Sequence, residues 1–206
     1  MKKSARKSYD VIVFDLGNTL IRFDHRISAR KIARLSKLAP AEIYDMFFDS
    51  ELTRAFEKGL ITPREFHRRA AELLGVKLPF KEFAAIWNDI FWEDAHACDI
   101  ARKLKKNYKV FLLSNVNRLH FEFIIKKFGI MKIFDEIVAS FAVGAMKPEK
   151  KIYDHVVRKA CCDRSRILYI DDREDLIKAA RRMGIDSIRF QGAKKLRESM
   201  KKMGLL

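Results

Sequence analysis

Cysteine is scarce in this 206-residue chain: there are three, an odd number, and Cys161 and Cys162 are adjacent. Adjacent cysteines do not make an ordinary structural bridge, and no CxxC spacing offers a zinc site. A disulfide framework and a structural zinc are thus excluded, and a reducing, cytoplasmic setting is expected. Long hydrophobic runs are missing as well. None approaches the roughly 18–20 residues that span a bilayer, so no membrane partner is expected. The basic start MKKSARKS leads only into the short run VIVF, with no small-residue cleavage site, and does not read as a signal peptide. Proline (4) and glycine (8) are few, and neither an internal repeat nor a low-complexity linker is present.

Acidic residues are the scarcer sign: 27 against 43 Lys and Arg, for a net charge of +16. Such a field attracts anions of any kind, from phosphorylated metabolites to nucleic acid. The bases are dispersed, however, with dense patches only at the ends (Lys2, Lys3, Arg6, Lys7 and Lys194, Lys195, Arg197, Lys201, Lys202). No zinc-finger spacing or aromatic-basic RNA signature accompanies them, and a nucleic-acid partner is not expected. No feature specifies an oligomeric state.

What is present is a regular alternation. A chain of this length buries roughly 70% of its unfolded surface, enough for one domain and a small second one. Three apolar runs end abruptly in polar residues: VIVF before Asp15, VFLL before Ser114-Asn115, and ILYI before Asp171-Asp172. Continuous apolar runs suit strands buried on both faces, as in parallel sheets covered by helices. Helical patterns separate them at 94–106, at 118–128, in a helix opened by Pro148, and from Leu176 to Gly184; a strand IDSIRF then precedes a basic helix. The expected fold is α/β, a doubly wound, mainly parallel Rossmann-like sheet. Residues 25–92 break the rhythm and read as helices only, including one opened by the capping-box tetrad Thr62-Pro63-Arg64-Glu65 and closed by Gly75. The expected division is a core of 1–21 and 93–206 with a helical cap of 22–92 lying over the carboxyl edge of the sheet.

Ligands in such folds sit at the carboxyl ends of the strands. Asp15, Ser114, Lys147, Asp171 and Asp172 all fall at or near predicted strand ends. A carboxylate beside paired acids is costly without a cation, so a Mg²⁺ site is the economical reading. The amides of the Leu16–Asn18 turn, the Ser114 hydroxyl and the Lys147 ammonium are donors suited to a phosphate. Asp15 is then placed to act as an in-line nucleophile on a small phosphorylated substrate.

The segments DLGNT (15–19), Ser114-Asn115, Lys147-Pro148 and Asp171-Asp172 resemble, in order and spacing, the four motifs of the haloacid dehalogenase-like superfamily, over about residues 9–190. DLGNT, FEKGLITPREF, SNVNRLH, MKPEKKIY and DDRED resemble more closely the alpha-D-glucose-1-phosphate phosphatases, and more distantly the phosphatase domain of soluble epoxide hydrolases. The resemblance implies that Asp15 is phosphorylated and then hydrolysed. It implies Mg²⁺ bound by Asp15, the Gly17 carbonyl and Asp172, with Asp171 close by or bound through water. Ser114, the Asn115 amide and Lys147 would hold the phosphate, and Asn18 would add a donor. Asp175 would orient the metal's water shell or Lys147.

Gly17 departs from the common pattern. Most phosphatases of the superfamily place a second Asp there as general acid/base, a role worth about 10²–10⁴-fold. The glucose-1-phosphate group shares DLGN, and an anomeric alkoxide leaves more readily than an ordinary sugar alkoxide. Glycine is also expected to serve the backbone angles of the turn. Two rivals stand beside this reading. A 2-haloacid dehalogenase also uses an Asp nucleophile, but without metal and usually with Ser/Asn-type residues in place of the acid pair. A catalytically weak basic protein would bind nucleic acid or an acidic partner. Asp171-Asp172 is expected to cap the following helix as well. His25 and Arg22 are candidates for substrate contact, set against solvated positions on the cap; His67, His96, His120 and His155 read as structural, and Trp87 as cap core.

Overall fold

The computed structural model describes residues 8–48 and 50–206. The amino-terminal basic patch at residues 2–7 lies outside them. Strand β1 (Val11–Phe14) is followed by β2 (Ile21–Phe23) and five helices: α1 (His25–Ala33), α2 (Pro40–Phe47), α3 (Glu51–Glu57), α4 (Pro63–Leu74) and α5 (Phe80–Asn88). Then come β3 (Phe91–Glu93), α6 (Ala95–Leu104), β4 (Lys109–Ser114), α7 (Arg118–Lys127), β5 (Glu136–Ala139), α8 (Ser140–Val143) and α9 (Lys150–Ala160). The chain finishes with β6 (Ile167–Asp171), α10 (Glu174–Arg182), β7 (Asp186–Arg189) and α11 (Ala193–Met203).

Five strands form one sheet in the order β5-β4-β1-β6-β7, every neighbouring pair parallel. Because side chains alternate across a strand, β1 divides its residues between two cores. Ile12 and Phe14 pack with Leu112, Ile170, Ile100 and Leu196 on the face covered by α6 and α11. Val11 and Val13 pack with Leu113, Tyr169, Val156 and Ile177 on the face covered by α9 and α10. Burial on both faces is why these strands read as unbroken apolar runs.

The helices α1–α5 enclose a third core, built on Ile32, Phe47, Phe66, Phe83 and Trp87, which also takes in Leu119 of α7. Phe56 and Phe66 stack with ring centroids 4.3 Å apart. Thr62 accepts from the Glu65 N–H at 3.2 Å, and Gly75 ends α4 in the left-handed conformation (φ 63°). The box is only half closed, since the Glu65 carboxylate pairs with Arg69 instead.

Three expectations are corrected, and one strand is added. Residues 25–92 are not helical throughout: Phe91–Glu93 forms an antiparallel ribbon with Ile21–Phe23, pairing Phe23 with Phe91 and Ile21 with Glu93. This ribbon joins the helical insert to the sheet at both ends of 22–92. Strand β5 has no uninterrupted apolar run, because acidic residues at 135–136 stand at its start. Pro148 does not open a helix; the Lys147–Pro148 bond is cis, and α9 begins at Lys150. The N-cap of α10 is Arg173 rather than Asp171 or Asp172, and it carries no side-chain cap bond. Lys194, Lys195, Lys201 and Lys202 are exposed along α11, while Leu196 and Met200 bury its other face. Among the described residues, no helix is long and apolar enough to cross a membrane.

Candidate active site

The register of the sheet brings the polar residues together. Phe14 pairs with Leu112 on one side and Ile170 on the other, so Asp15 sits one step beyond, level with Leu113 and Asp171. Its N–H is held by the Ile170 carbonyl at 2.8 Å. Lys147 arrives from the loop before α9 with its side chain only 2% exposed. Its ammonium donates to Asp15 Oδ1 (2.6 Å), Asp171 Oδ2 (2.7 Å) and the Leu113 carbonyl (3.2 Å), using all three protons. Asp171 is fully buried and also accepts from the Tyr169 hydroxyl and, through Oδ1, from the Arg173 N–H at 2.8 Å.

Three carboxylates against one ammonium leave two negative charges uncompensated if all ionise. Burial pushes the Asp15 carboxyl up to about 7, the Lys147 ammonium pulling it back and the charges of Asp171 and Asp172 adding to the rise. Burial and Asp171 raise Asp172 too. Burial opposes the charge on Asp171 as well, but Lys147, Tyr169 and the Arg173 amide hold it below the usual carboxylate value. Burial alone would discharge Lys147; the two carboxylates raise it above its ordinary value instead.

Oxygens of Asp15, Asp171 and Asp172 lie within 4.8 Å of one another. The all-oxygen donor set and the two unmatched charges fit one Mg²⁺. Much of the accepting capacity of Asp171 is already engaged by protein donors, which gives Asp15 and Asp172 first claim on the ion.

The turn after β1 differs from its expected chemistry. The positive φ falls on Asn18 (54°), not on Gly17, and the Asn18 N–H donates to the Ile21 carbonyl at 2.8 Å. That amide is therefore spent inside the turn, although the Asn18 side chain lines the cavity. Gly17 is required for space rather than for angle: a Cβ there would lie 2.8 Å from Phe23 Cε1. The ring of Phe23 stands beside the position where a second carboxylate would be attached.

Ser114 is buried at the end of β4, its hydroxyl on the Asn115 carbonyl at 3.4 Å, and it does not line the cavity. The Asn115 side chain does something the sequence did not announce. Its Nδ2 donates to the Lys147 carbonyl (3.0 Å) and its Oδ1 accepts from the Lys147 N–H (2.8 Å). This clasp fixes the backbone from which the buried ammonium reaches Asp15. Asp175 does not approach Lys147; it pairs with Arg173 at 2.7 Å near the surface.

Above Asp15 opens a cavity of about 440 Å³ bounded by the strand ends and the helical insert. His25 lines it, and Arg22 does not: its guanidinium pairs with Asp94 at 3.0 Å. Trp87 belongs both to the core of the insert and to the cavity wall. His120, read as structural, is also in the wall. Its ring contacts Asn117 Nδ2 (3.0 Å) and the Trp87 carbonyl (3.2 Å), and burial pushes it down to about 3, so it is neutral.

Comparison with known proteins agrees with this geometry. A family model described as a haloacid dehalogenase-like hydrolase matches residues 9–184. A D-ribitol-5-phosphate phosphatase of Bacteroides thetaiotaomicron is 25% identical, over 92% of this chain and 95% of that protein. A sesquiterpene phosphatase of Aspergillus oryzae is 23% identical, over 86% of this chain and 88% of that one. The structure of a HAD family enzyme from Bacteroides thetaiotaomicron in complex with magnesium and inorganic phosphate superposes with a TM-score of 0.80 and 28% identity, covering 88% of this chain and 94% of that one. With 176 of its residues matched by the family and the motif residues gathered at the carboxyl ends of β1, β4 and β6, the chain belongs to the haloacid dehalogenase-like hydrolases.

Proposed function

We propose that this hydrolase is a Mg²⁺-dependent phosphoric monoester hydrolase that works through a phosphorylated Asp15. The observation that carries the reading is the buried Lys147 ammonium joining Asp15 to Asp171, with Asp172 within metal-sharing distance. The magnesium and phosphate bound by the related Bacteroides enzyme support it. In this reading an Asp15 carboxylate oxygen attacks phosphorus, the bond from phosphorus to the ester oxygen breaks, and the alcohol leaves with the electron pair. Water then attacks the acyl phosphate, releasing inorganic phosphate and restoring Asp15.

Asp15, Asp172 and the Gly17 carbonyl would hold Mg²⁺, with Asp171 behind them; the ion supplies charge neutralisation at the transferring phosphoryl group. Lys147 contributes a second positive charge at the attacking carboxylate and keeps it oriented. Asn115 fixes Lys147 with its side chain and offers its main-chain amide to the phosphate. The Asn18 side chain adds a donor, and Ser114, one step beyond the level of Asp15, adds another once its hydroxyl turns from the Asn115 carbonyl. No carboxylate stands at Gly17 to protonate the departing oxygen, so the proton comes from water and easily expelled alcohols are favoured. Glucose 1-phosphate meets that condition through its anomeric oxygen.

The acid pair Asp171-Asp172 argues against a metal-free haloacid dehalogenase, because buried Asp171 and half-buried Asp172 beside Asp15 carry more negative charge than the Lys147 ammonium balances. The test is turnover of a phosphomonoester panel with Mg²⁺. Asp15→Asn should abolish it while the fold persists, and excess EDTA should abolish it in the parent. Full activity in either case refutes the mechanism.

A further inference from the structure

The cavity above Asp15 is aromatic and aliphatic on its insert side. Ile32, Ile43, Phe47 and Trp87 form a buried wall, and Tyr44 and Phe48 stack on each other with centroids 5.0 Å apart. Several of the polar side chains among them are already committed to the protein. Ser28 donates its hydroxyl proton to the His25 carbonyl (2.9 Å), and Thr53 donates its own to the Phe47 carbonyl (2.7 Å). Asn117 and His120 satisfy each other and the Trp87 carbonyl. Arg54 and Glu57 also engage other groups of the protein. What remains sits on aromatic rings, as with the Trp87 indole N–H, which is buried without a hydrogen-bond partner among the described residues. A polyol entering here would lose water from several hydroxyls and recover few partners. A flat apolar ring has no hydroxyls to desolvate and gains stacking.

A second, independent observation points the same way. With Phe23 beside Gly17, no carboxylic acid stands at that position to protonate the departing oxygen. The alcohol must leave on its own acidity, and a phenol ionises near 10, far more readily than a primary alcohol.

We infer that the site takes aryl monophosphates, the phosphate esters of phenols, with the ring held in the aromatic pocket of the insert. The bond from phosphorus to the phenolic oxygen breaks as the Asp15 oxygen bonds to phosphorus; the phenolate keeps the electron pair and takes its proton from water. This rests on the phosphatase reading above and narrows its substrate class.

The experiment compares kcat/KM of the Mg²⁺-loaded protein on phenyl phosphate, 2-naphthyl phosphate, glucose 1-phosphate and ribitol 5-phosphate. Phenol and 2-naphthol have similar acidities, so the first pair isolates the pocket from the leaving group. The second ring should raise kcat/KM about tenfold, and both aryl esters should exceed both polyol phosphates. Phe48→Ser, at a half-exposed wall position whose loss the fold tolerates, should raise KM for the naphthyl ester several-fold more than for the phenyl ester. Faster turnover of either polyol phosphate overturns this assignment and leaves the phosphatase reading intact. Equal kcat/KM for the two aryl esters also overturns it. No turnover of any of the four overturns both.

Discussion

If Asp15, Asp171 and Asp172 hold Mg²⁺ as proposed, their charge imbalance makes stability depend jointly on the metal and on pH. Between about pH 4 and pH 7 the folded chain keeps a proton on Asp15 that the unfolded chain has released. Metal-free stability therefore falls as pH rises across that window. The raised Asp172 acts in the same direction, and Lys147 stays charged throughout. Mg²⁺ must displace the Asp15 proton, so its affinity falls as pH drops below about 7. At pH 8 and a concentration 100 times Kd, bound metal adds about 2.7 kcal/mol. For a chain of this size that is roughly 5–11 °C in Tm. At pH 5.5 the ionised fraction of Asp15 weakens binding about 30-fold, leaving about 0.9 kcal/mol, or roughly 2–4 °C. Thermal unfolding followed by circular dichroism, with Mg²⁺ or EDTA at the two pH values, measures both increments. Asp15→Asn should remove most of the Mg²⁺ increment and make the metal-free protein more stable than the parent at pH 8, because a neutral amide replaces a buried charge. Equal increments at the two pH values, or a less stable metal-free Asp15→Asn protein, would refute this account of the site.

Asn115→Leu leaves the Lys147 N–H and carbonyl without their partners, and should cost about 2–4 kcal/mol in urea unfolding while lowering kcat more than it changes KM. Gly17→Ala forces its Cβ against Phe23 and should destabilise by about 1–3 kcal/mol; Phe23→Ala in the same chain should cancel most of that steric penalty, as a double-mutant cycle would reveal. Gly17→Asp combined with Phe23→Ala, once shown to retain the Mg²⁺-induced Tm increment, should speed hydrolysis of primary-alcohol phosphates by up to roughly 10²-fold and aryl phosphates much less. Equal acceleration of the two classes would mean that proton donation does not limit the parent enzyme.

Much of the site was legible because its residues occupy strand ends. Asp15, Ser114 and Asp171 each follow an apolar run, and a parallel sheet has only one edge at which such ends can meet. The single Lys147 before a proline became meaningful through the motif order, and the structure places its ammonium between Asp15 and Asp171. Two assignments of hydrogen-bond donors and orienting groups at the site did not survive in detail. The Asn18 amide is consumed by Ile21, and Asp175 is paired with Arg173. Both concern hydrogen-bond partners, which residue type and spacing leave open.

Four of the five sheet strands, their burial on both faces and the meeting of the acids were written in the sequence, because such burial demands uninterrupted apolar strands and leaves polar residues only at their ends. Tertiary structure alone decided three things. It paired Phe23 with Phe91 in a ribbon that swings an aromatic ring against Gly17, so that the absence of a Cβ serves packing rather than backbone angle. It brought the Asn115 amide onto the Lys147 peptide from 32 residues away. It also turned Trp87, Phe47 and Ile43 toward a cavity while keeping them in a core. Each depends on contacts between side chains from separate elements, and the periodicity that reveals an element carries no record of which neighbour its side chains will meet.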